Sequence, residues 1–253
     1  MSKKDKNNVD IFICTHKDFK PFVSSPVYQI ADNRLFKNKY KIFGKLDDVE
    51  LSELYTYFFI NEYAPLKKYV GFCHYRRYYE FLDDVPDFDE IFKEYDIVTV
   101  KPFIFDFNCL EQYAYCHNVE DVYILENVIK EHFSEYYDSF KKFFEGNAII
   151  PCNMFIMKKK DFKKYVNFLK EVMKEFFWVY GIEPKQKVLD NKEKYLKDFY
   201  PSNDIDYQSR TFSYLMERLT NVFIIKHFSK IKTYKTILTE DKYNQYTNIE
   251  QHK

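Results

Sequence analysis

Continuously apolar runs alternate along the chain with segments in which apolar residues recur every three or four positions. Short apolar runs bounded by polar residues are typical of strands buried on both faces of a sheet. Apolar residues at helical spacing are typical of helices that cover such a sheet. The predicted strands lie at 9–17, 69–75, 96–102 and 148–160. The alternation predicts an α/β fold of the Rossmann-like kind, with a mostly parallel sheet flanked by helices.

Capping residues place the helices between these strands. A helix is predicted at 47–63, opened by Asp47 or Asp48, and a long amphipathic helix at 161–181, opened by Asp161. The other predicted helices lie at 88–95, in two or three pieces over 107–146 with a break near Asn118, and at 204–228 with a strand-like end. Residues 24–44 are expected to be irregular or to form short strands.

The chain shows no internal repeat and no linker rich in Gly, Pro or Ser, which predicts a single domain over residues 1–253. Its core is expected at about 9–228, and its second half is expected to be mostly helical. The tail 229–253 carries little pattern.

Composition narrows the class of protein. The sequence contains 27 Phe and 24 Tyr but 4 Gly, and neither GxGxxG nor GxxxxGK[ST] occurs, so a dinucleotide fingerprint and a P-loop are excluded. Lys plus Arg and Asp plus Glu both number 39, and this zero net charge argues against a nucleic-acid partner.

Cysteine usage and the N-terminal residues predict the compartment. The five cysteines are widely spaced and form no CxxC, which favours a reducing cytoplasm. The N-terminal residues are polar, and no 18-residue apolar stretch occurs. We therefore expect a cytoplasmic protein, with at most peripheral association at the inner face of the cytoplasmic membrane.

Cationic and imidazole side chains follow the predicted strands where those strands end. Ligands of open α/β sheets bind beyond the carboxyl ends of the strands. The residues delivered there are Thr15, His16 and Lys17 by the first strand, His74, Tyr75, Arg76 and Arg77 by the second, Lys101 by the third, and Asn153 by the fourth. Arginine binds phosphate oxygens through its planar fork, so this group predicts a phosphate or diphosphate site. The alternative is that one arginine pairs with a carboxylate such as Glu80 or Asp83.

Two further clusters could carry chemistry. In "YCHNVEDVY", His117 lies close to Glu120 and Asp121, and a carboxylate beside a histidine can act as general base or bind substrate hydroxyls. The same stretch also fits an ordinary helix start with acidic residues in its first turn. In "QSRTFSYLMERL", Glu217 and Arg218 interrupt an apolar helix, either as a structural pair or with Glu217 facing the site.

A metal site is doubtful on this sequence. The Asp-x-Asp pattern that suits a hard cation occurs at 87–89 and at 204–206. Neither match follows a clear strand, and the chain has enough aspartates to produce such matches by chance. No metal ligand and no tightly bound cofactor is therefore predicted.

Six blocks appear in an order that resembles a known family. They are "IFICTHK", "YVGFCHYRRYY", "DIVTVKP", "YAYCHNVEDV", "CNMFIMKKKDF" and "QSRTFSYLMERL". Together they resemble bacterial proteins of capsular and exopolysaccharide biosynthesis that were long labelled a domain of unknown function. Members of that family look like glycosyltransferases of the GT-A type, and the resemblance covers roughly residues 9–226. The stretch "LDDVELSEL" is shorter than in the family, and the tail after 228 has no counterpart there.

The resemblance implies a nucleotide-sugar donor, expected to be a UDP-sugar, and a saccharide or lipid-linked glycan acceptor. It also implies cations where relatives use a metal to hold the diphosphate. "NMFIMKK" resembles a strand that borders the donor sugar and the acceptor, which assigns Asn153 and Met154 to the sugar site. His117 and Arg218 are expected at the same site. If the enzyme inverts the anomeric centre, Asp121 or Glu120 would be the catalytic base, with Glu217 in reserve. A retaining enzyme would not require such a base, and the sequence leaves both open.

The expected activity is transfer of a hexosyl, N-acetylhexosaminyl or furanosyl group to a growing capsule-type glycan. The alternative is a non-catalytic protein that binds a glycan or a nucleotide. A binding protein would hold the donor without consuming it.

Overall fold

The computed structural model describes residues 8–39, 51–181 and 183–239. The strands are β1 (Val9–Thr15), β2 (Tyr28–Asp32), β3 (Tyr69–His74), β4 (Arg77–Tyr79), β5 (Ile97–Val100), β6 (Phe103–Ile104), β7 (Ala148–Ile149), β8 (Phe155–Lys158), β9 (Ile231–Tyr234) and β10 (Thr236–Leu238). The helices are α1 (Asn33–Lys39), α2 (Leu54–Tyr63), α3 (Phe88–Glu94), α4 (Cys109–Cys116), α5 (Glu120–His132), α6 (Tyr137–Glu145), α7 (Lys159–Tyr180), α8 (Pro184–Asp190), α9 (Lys192–Tyr195), α10 (Ile205–Gln208) and α11 (Thr211–His227).

One large sheet organises the described part of the chain. Parallel strands β2, β1 and β3 lie side by side, and β5 and β9 form a second parallel pair. Between them runs β8, antiparallel to both β3 and β5. Strands β4 and β10 add an antiparallel edge beside β3. The predicted α/β class with a mostly parallel central sheet is confirmed.

The core between sheet and helices is built of aromatic rings. The ring of Phe72 on β3 lies 4.3 Å from that of Tyr57 on α2 and 5.4 Å from that of Phe155 on β8. Gly71 on β3 is paired with Ile156 on β8 and leaves room for its side chain, because a Cβ there would lie 2.6 Å from the Cγ1 atom of Ile156. None of the helices in the described part of the chain combines the length and apolar character needed to cross a membrane.

Several element boundaries differ from the predictions. The sequence predicts a helix at 204–228 with a strand-like end. Residues 205–208 and 211–227 are helical, so the strand-like end is wrong. Helix α7 begins at Lys159, and Asp161 lies in its first turn instead of capping it. The predicted caps Asp47 and Asp48 lie outside the described residues. Strands β9 and β10 add residues 231–238 to the sheet, beyond the expected core boundary.

Candidate functional site

Strand directions bring distant parts of the chain to one edge of the sheet. Strands β1 and β3 are parallel neighbours, so the residues that follow them emerge at the same edge. Strand β8 runs the opposite way, so the turn Pro151–Asn153 before it lies at this edge too. The turn between β3 and β4 is only two residues long, because His74 pairs with Arg77 across the hairpin.

Three cationic or imidazole groups surround the ring of Tyr75, which is itself 7% exposed. The Lys17 Nζ atom lies 4.8 Å and the Arg76 guanidinium carbon 4.9 Å from the ring centroid. The His16 ring approaches it edge-on at 5.4 Å. Partial burial lowers the pKa of His16, and the charges of Arg76 and Lys17 lower it further. We call His16, Lys17, Tyr75 and Arg76 the Tyr75 cluster.

Thr15 shapes the turn that carries two members of this cluster. Its hydroxyl donates to the Lys17 carbonyl at 2.6 Å and accepts from the Lys17 N–H at 3.1 Å. Thr15 is 2% exposed, and its hydroxyl is used to hold the backbone of Lys17. Ligand binding by Thr15 stays a prediction.

The carboxylates considered as alternative arginine partners are engaged elsewhere. Glu80 accepts from the Lys235 N–H at 2.8 Å. Asp83 accepts from the backbone N–H groups of Ser24 and Ser25 at 2.8 and 2.7 Å.

A strained turn is held from both sides by two predicted site residues. The Nε2 atom of His74 donates to the carbonyl of Cys152 at 2.8 Å, and Glu217 accepts from the Cys152 N–H. Cys152 has a φ of 60° and Asn153 a φ of 51°, in the left-handed region that costs a non-glycine residue about 1–2 kcal/mol. His74 and Glu217 thus stabilise a backbone shape that would otherwise be unfavourable.

Burial and neighbouring charges set the protonation of this second group. Burial, followed by the charge of Arg77, lowers the pKa of His74 to about 4. The imidazole is therefore neutral near pH 7, with its proton on Nε2 where the Cys152 carbonyl accepts it. Burial raises the pKa of the Cys152 thiol to about 12, so the thiolate is not formed near pH 7.

Arg218 holds the carboxylate of Glu217 in place. Its Nη1 atom donates to the Glu217 Oε2 atom at 2.8 Å and to the Tyr214 carbonyl at 3.1 Å. Its Nη2 atom donates to Gln112 Oε1 at 2.6 Å, and its guanidinium carbon lies 5.2 Å from the Tyr113 ring centroid. Arg218 is 5% exposed, whereas the Glu217 side chain is 23% exposed. The observed contacts of Arg218 are structural, and Glu217 reaches the turn at Cys152 at the edge of the sheet. Sugar binding by Arg218 and a role of Glu217 in the site stay predictions.

The three other residues assigned to sugar binding are buried beside this edge. Asn153 is 3% exposed and accepts from the Thr220 hydroxyl at 2.6 Å, and Met154 is 1% exposed. His117 donates through Nδ1 to Gln208 Oε1 at 3.1 Å, and its ring stacks on Tyr214 at 4.0 Å. Burial lowers the pKa of His117 to about 3, so it is neutral near pH 7. Asn153 joins the turn before β8 to α11, and His117 joins the end of α4 to α10 and α11. Sugar binding by the three residues stays a prediction.

Three predicted residues lie outside the contacts of both groups. Asp121 is 1% exposed and accepts from the hydroxyls of Tyr195 and Thr211 at 2.6 and 3.2 Å. Glu120 is exposed and pairs with Lys194 at 2.9 Å. Lys101 is exposed at the end of β5, which runs in the same direction as β3 but is separated from it by β8.

Asp121 makes the stability of the fold depend on pH. Burial raises its pKa to about 7, against hydrogen bonds from Tyr195 and Thr211 and the charge of Lys187. The unfolded carboxyl ionises near pH 4, so between about pH 4 and 7 the folded state holds a proton that the unfolded state has lost. This contribution to stability is full below that window and is lost as the pH rises through it.

Asp121→Asn is therefore expected to gain stability relative to the parent as the pH rises. Between pH 5 and 8 the difference in free energy of unfolding should shift in favour of the variant by on the order of 2 kcal/mol. Urea denaturation at both pH values measures it, with the exposed Glu120→Gln as control. A difference that is the same at both pH values would contradict a raised pKa at this position.

Two residues of this edge do not stand out in the sequence. Glu53 lies just before α2, with its Oε1 atom 3.4 Å from His74 Nε2. Arg210 precedes α11, packs its guanidinium carbon 4.9 Å from the Tyr207 ring centroid, and acts electrostatically on Glu53 and His16. In the sequence, Glu53 sits in an ordinary helix pattern and Arg210 lies inside the helix predicted at 204–228. Arg210 does belong to "QSRTFSYLMERL", one of the six blocks that carry the family resemblance.

Both Asp-x-Asp matches serve local structure. Asp87 caps α3 by accepting from the N–H of Asp89, and Asp89 accepts from the Lys68 ammonium at 2.5 Å. Asp204 caps α10, and Asp206 pairs with Lys185. The first pair lies beside the start of β3, where Asp89 accepts from the Tyr69 hydroxyl at 2.9 Å. The second pair lines a cavity together with Tyr207 and Arg210.

Comparisons with known proteins agree with this architecture. The model of a family described as Domain of unknown function (DUF4422) matches residues 10–230. No curated protein sequence matches the chain closely enough to count as a relative. A solved structure described as "WbbM bifunctional glycosytransferase apo structure" superposes with a TM-score of 0.71 at 17% identity, covering 93% of this chain and 46% of that one. The chain thus spans about half the length of that structure, and the likeness confirms a GT-A-like fold.

Proposed function

Because the chain belongs to the DUF4422 family, as the six blocks predict, we propose that it transfers a glycosyl group from a nucleoside diphosphate sugar to a glycan. The observation that carries the proposal is the gathering of His16, Lys17, Arg76 and Arg77 where β1 and β3 end. The likeness in fold to a solved glycosyltransferase supports the same reaction class.

The Tyr75 cluster and Arg77 would hold the diphosphate of the donor. Arg76 lies in the hairpin turn and Arg77 starts β4, so the two emerge next to each other at the end of β3. An arginine fork matches phosphate oxygens, and a lysine adds a point charge. The ring of Tyr75 gives these cations a fixed apolar surface to pack against.

The same cations would stabilise charge in the reaction. As the bond between the sugar and the diphosphate breaks, its electron pair stays on the phosphate oxygen, and negative charge builds up there. Donors fixed before the reaction stabilise such charge more in the transition state than in the ground state. The partly buried setting strengthens the effect, because the local dielectric is lower than in water.

The donor in this proposal is a UDP-sugar, carrying a hexosyl, N-acetylhexosaminyl or furanosyl group. The acceptor is a saccharide or lipid-linked glycan of capsular or exopolysaccharide type, and the location is cytoplasmic. No metal ion is included, since helix capping and lysine pairing engage the carboxylates of both Asp-x-Asp matches. The cations of the site would take the place of a metal.

Nucleotide binding is expected to stabilise the protein without a metal. A ligand at 100 times its Kd adds about 2.7 kcal/mol to the free energy of unfolding, which is a shift of several degrees in Tm. Thermal unfolding with UDP, GDP, CMP and ADP, in Mn²⁺ and in EDTA, measures this. We expect UDP to stabilise most and its effect to survive EDTA.

Turnover separates the proposed enzyme from a binding protein. Release of UDP from UDP-sugars, with saccharide acceptors or with water, is the expected result. Stabilisation by UDP without consumption of any donor would favour a non-catalytic binding protein. The absence of both stabilisation and turnover would contradict the proposed function.

A further inference from the structure

We infer that Glu53 is the general base that takes the proton of the acceptor hydroxyl, an inference that rests on the proposed function. Glu53 immediately precedes α2, and its carboxyl reaches the end of β3, where His74 Nε2 lies 3.4 Å from its Oε1 atom. Its side chain is 21% exposed, so the residue is not sealed from solvent. It therefore combines a position at the cationic edge with access from solvent.

The other carboxyls of the region are less suited to this role. Both oxygens of Glu217 are engaged, one by the Cys152 N–H and the other by Arg218. Asp121 is 1% exposed, and its oxygens accept hydrogen bonds from Tyr195 and Thr211. A base must come within hydrogen-bond reach of the proton that it removes. Among the described residues Glu217 is hydrogen-bonded to the turn before β8 and Glu53 is not, so taking a proton would cost Glu53 no such bond.

His74 cannot replace Glu53 as the base. Its Nε2 proton is donated to the Cys152 carbonyl at 2.8 Å, and its low pKa makes it a weak proton acceptor near pH 7. The same Nε2 atom lies 3.4 Å from Glu53 Oε1, while its proton is directed at the Cys152 carbonyl. His74 therefore holds the turn at Cys152 beside Glu53.

Both positively and negatively charged groups act on Glu53. The groups whose charges act on it or respond to it are His16 after β1, His74 of β3, Arg77 of β4, and Arg210 and Glu217 from the α11 side. The thiols of Cys14 and Cys152 and the phenols of Tyr57 and Tyr165 also lie within its field, and burial keeps them neutral near pH 7.

Burial and the charge of Glu217 raise the pKa of Glu53 to about 7, against Arg77, its own backbone N–H and Arg210. A base with a pKa near the working pH is both ionised and able to take a proton. The raised pKa supports the assignment that position and access already make.

The proposed reaction combines one proton transfer with one displacement at the anomeric carbon. The acceptor O–H proton passes to a Glu53 oxygen as the acceptor oxygen forms a bond to the anomeric carbon. The bond from that carbon to the diphosphate oxygen breaks, and its electron pair leaves with the nucleoside diphosphate. A single displacement of this kind inverts the anomeric centre. Water in place of the acceptor gives the free sugar by the same route.

Glu53→Gln tests the inference, with UDP-hexoses and UDP-N-acetylhexosamines as donors and water or simple saccharides as acceptors. Because Gln keeps the shape but cannot take a proton, kcat/KM should fall by about 10²–10⁴-fold. In the parent protein kcat/KM should rise with pH and level off above about pH 7, and this limb should vanish in the variant. Stabilisation by UDP should be retained.

Glu62→Gln is the matched control, since Glu62 lies on α2 and its side chain is 47% exposed, and it should keep the parental rate and pH profile. A variant at Glu53 with near-parental turnover, or with its pH limb intact, would overturn the assignment while leaving the proposed function standing. Loss of UDP stabilisation in the variant would overturn it as well, because Glu53 would then serve binding. A parent protein without turnover of any donor would overturn both proposals.

Discussion

Replacing Arg76 or Arg77 with Ala is expected to lower turnover of a UDP-sugar by about 10²–10³-fold, the loss typical of removing one donor that stabilises developing negative charge. Both side chains are only partly buried. The fold should therefore survive either change, and the loss should appear in kcat as well as in nucleotide binding. Initial rates of UDP release, measured beside thermal unfolding, separate the catalytic effect from a folding defect.

The matched control is Lys93→Ala on α3, a cation whose side chain is 68% exposed and paired with Glu90. It should leave turnover unchanged. Arg77→Lys keeps the charge but loses the fork, so it should recover part of the rate lost in Arg77→Ala. If both alanine variants keep parental rates, the cationic edge is not the donor site.

Replacing Arg218 with Ala is expected to cost about 3 kcal/mol of the free energy of unfolding, the low end of the range for breaking a buried ion pair, because the Glu217 side chain left behind is 23% exposed. Glu217 and Gln112 would both lose the donor that now satisfies them. Urea denaturation measures the loss. Turnover should fall too, because Glu217 holds the turn at Cys152 through the same carboxyl.

Lys130→Ala provides the comparison for a pair near the surface. Its 2.9 Å contact with Glu126 is partly exposed, and such pairs contribute about 0–1 kcal/mol. A loss below about 1 kcal/mol for Arg218→Ala would mean that the buried pair contributes little to the fold.

The cationic edge could be predicted from the sequence because its signal is local. His16, Lys17, Arg76 and Arg77 each directly follow an apolar run, and strand ends in an α/β sheet share an edge. The pattern does not give strand direction. That β8 runs against its neighbours, and so brings Cys152 to His74, follows from tertiary packing alone.

The surroundings of Asp121 and Glu53 cannot be predicted from the sequence, because burial in the fold determines them. Asp121 follows Glu120 in a helix start that reads as solvent-facing, yet α9 and α11 cover it through Tyr195 and Thr211. Glu53 reads as one acid among several in an ordinary helix pattern. Its importance depends on His74, Arg77 and Glu217, all distant in sequence and close in the fold.

Edge strands and a buried helix account for the main differences between the predicted and the observed secondary structure. The apolar stretch near the end of α11 resembles a strand, but a helix buried on most sides is apolar all round as well. Strands β9 and β10 are short and only partly buried, so they lack the continuous apolar run of a central strand.

The pairing of β10 with β4 has a consequence for the order in which the protein is assembled. The carbonyl of Arg76 accepts from the N–H of Thr239, and Leu238 lies opposite Arg77. The arginine hairpin therefore gains its outer neighbour only after almost the whole described chain has left the ribosome. Contacts of such long range close slowly, because a large loop must be ordered before they form. The nascent chain would expose an unpaired β4 edge for most of its synthesis, and completing the sheet and completing the site would be the same late event.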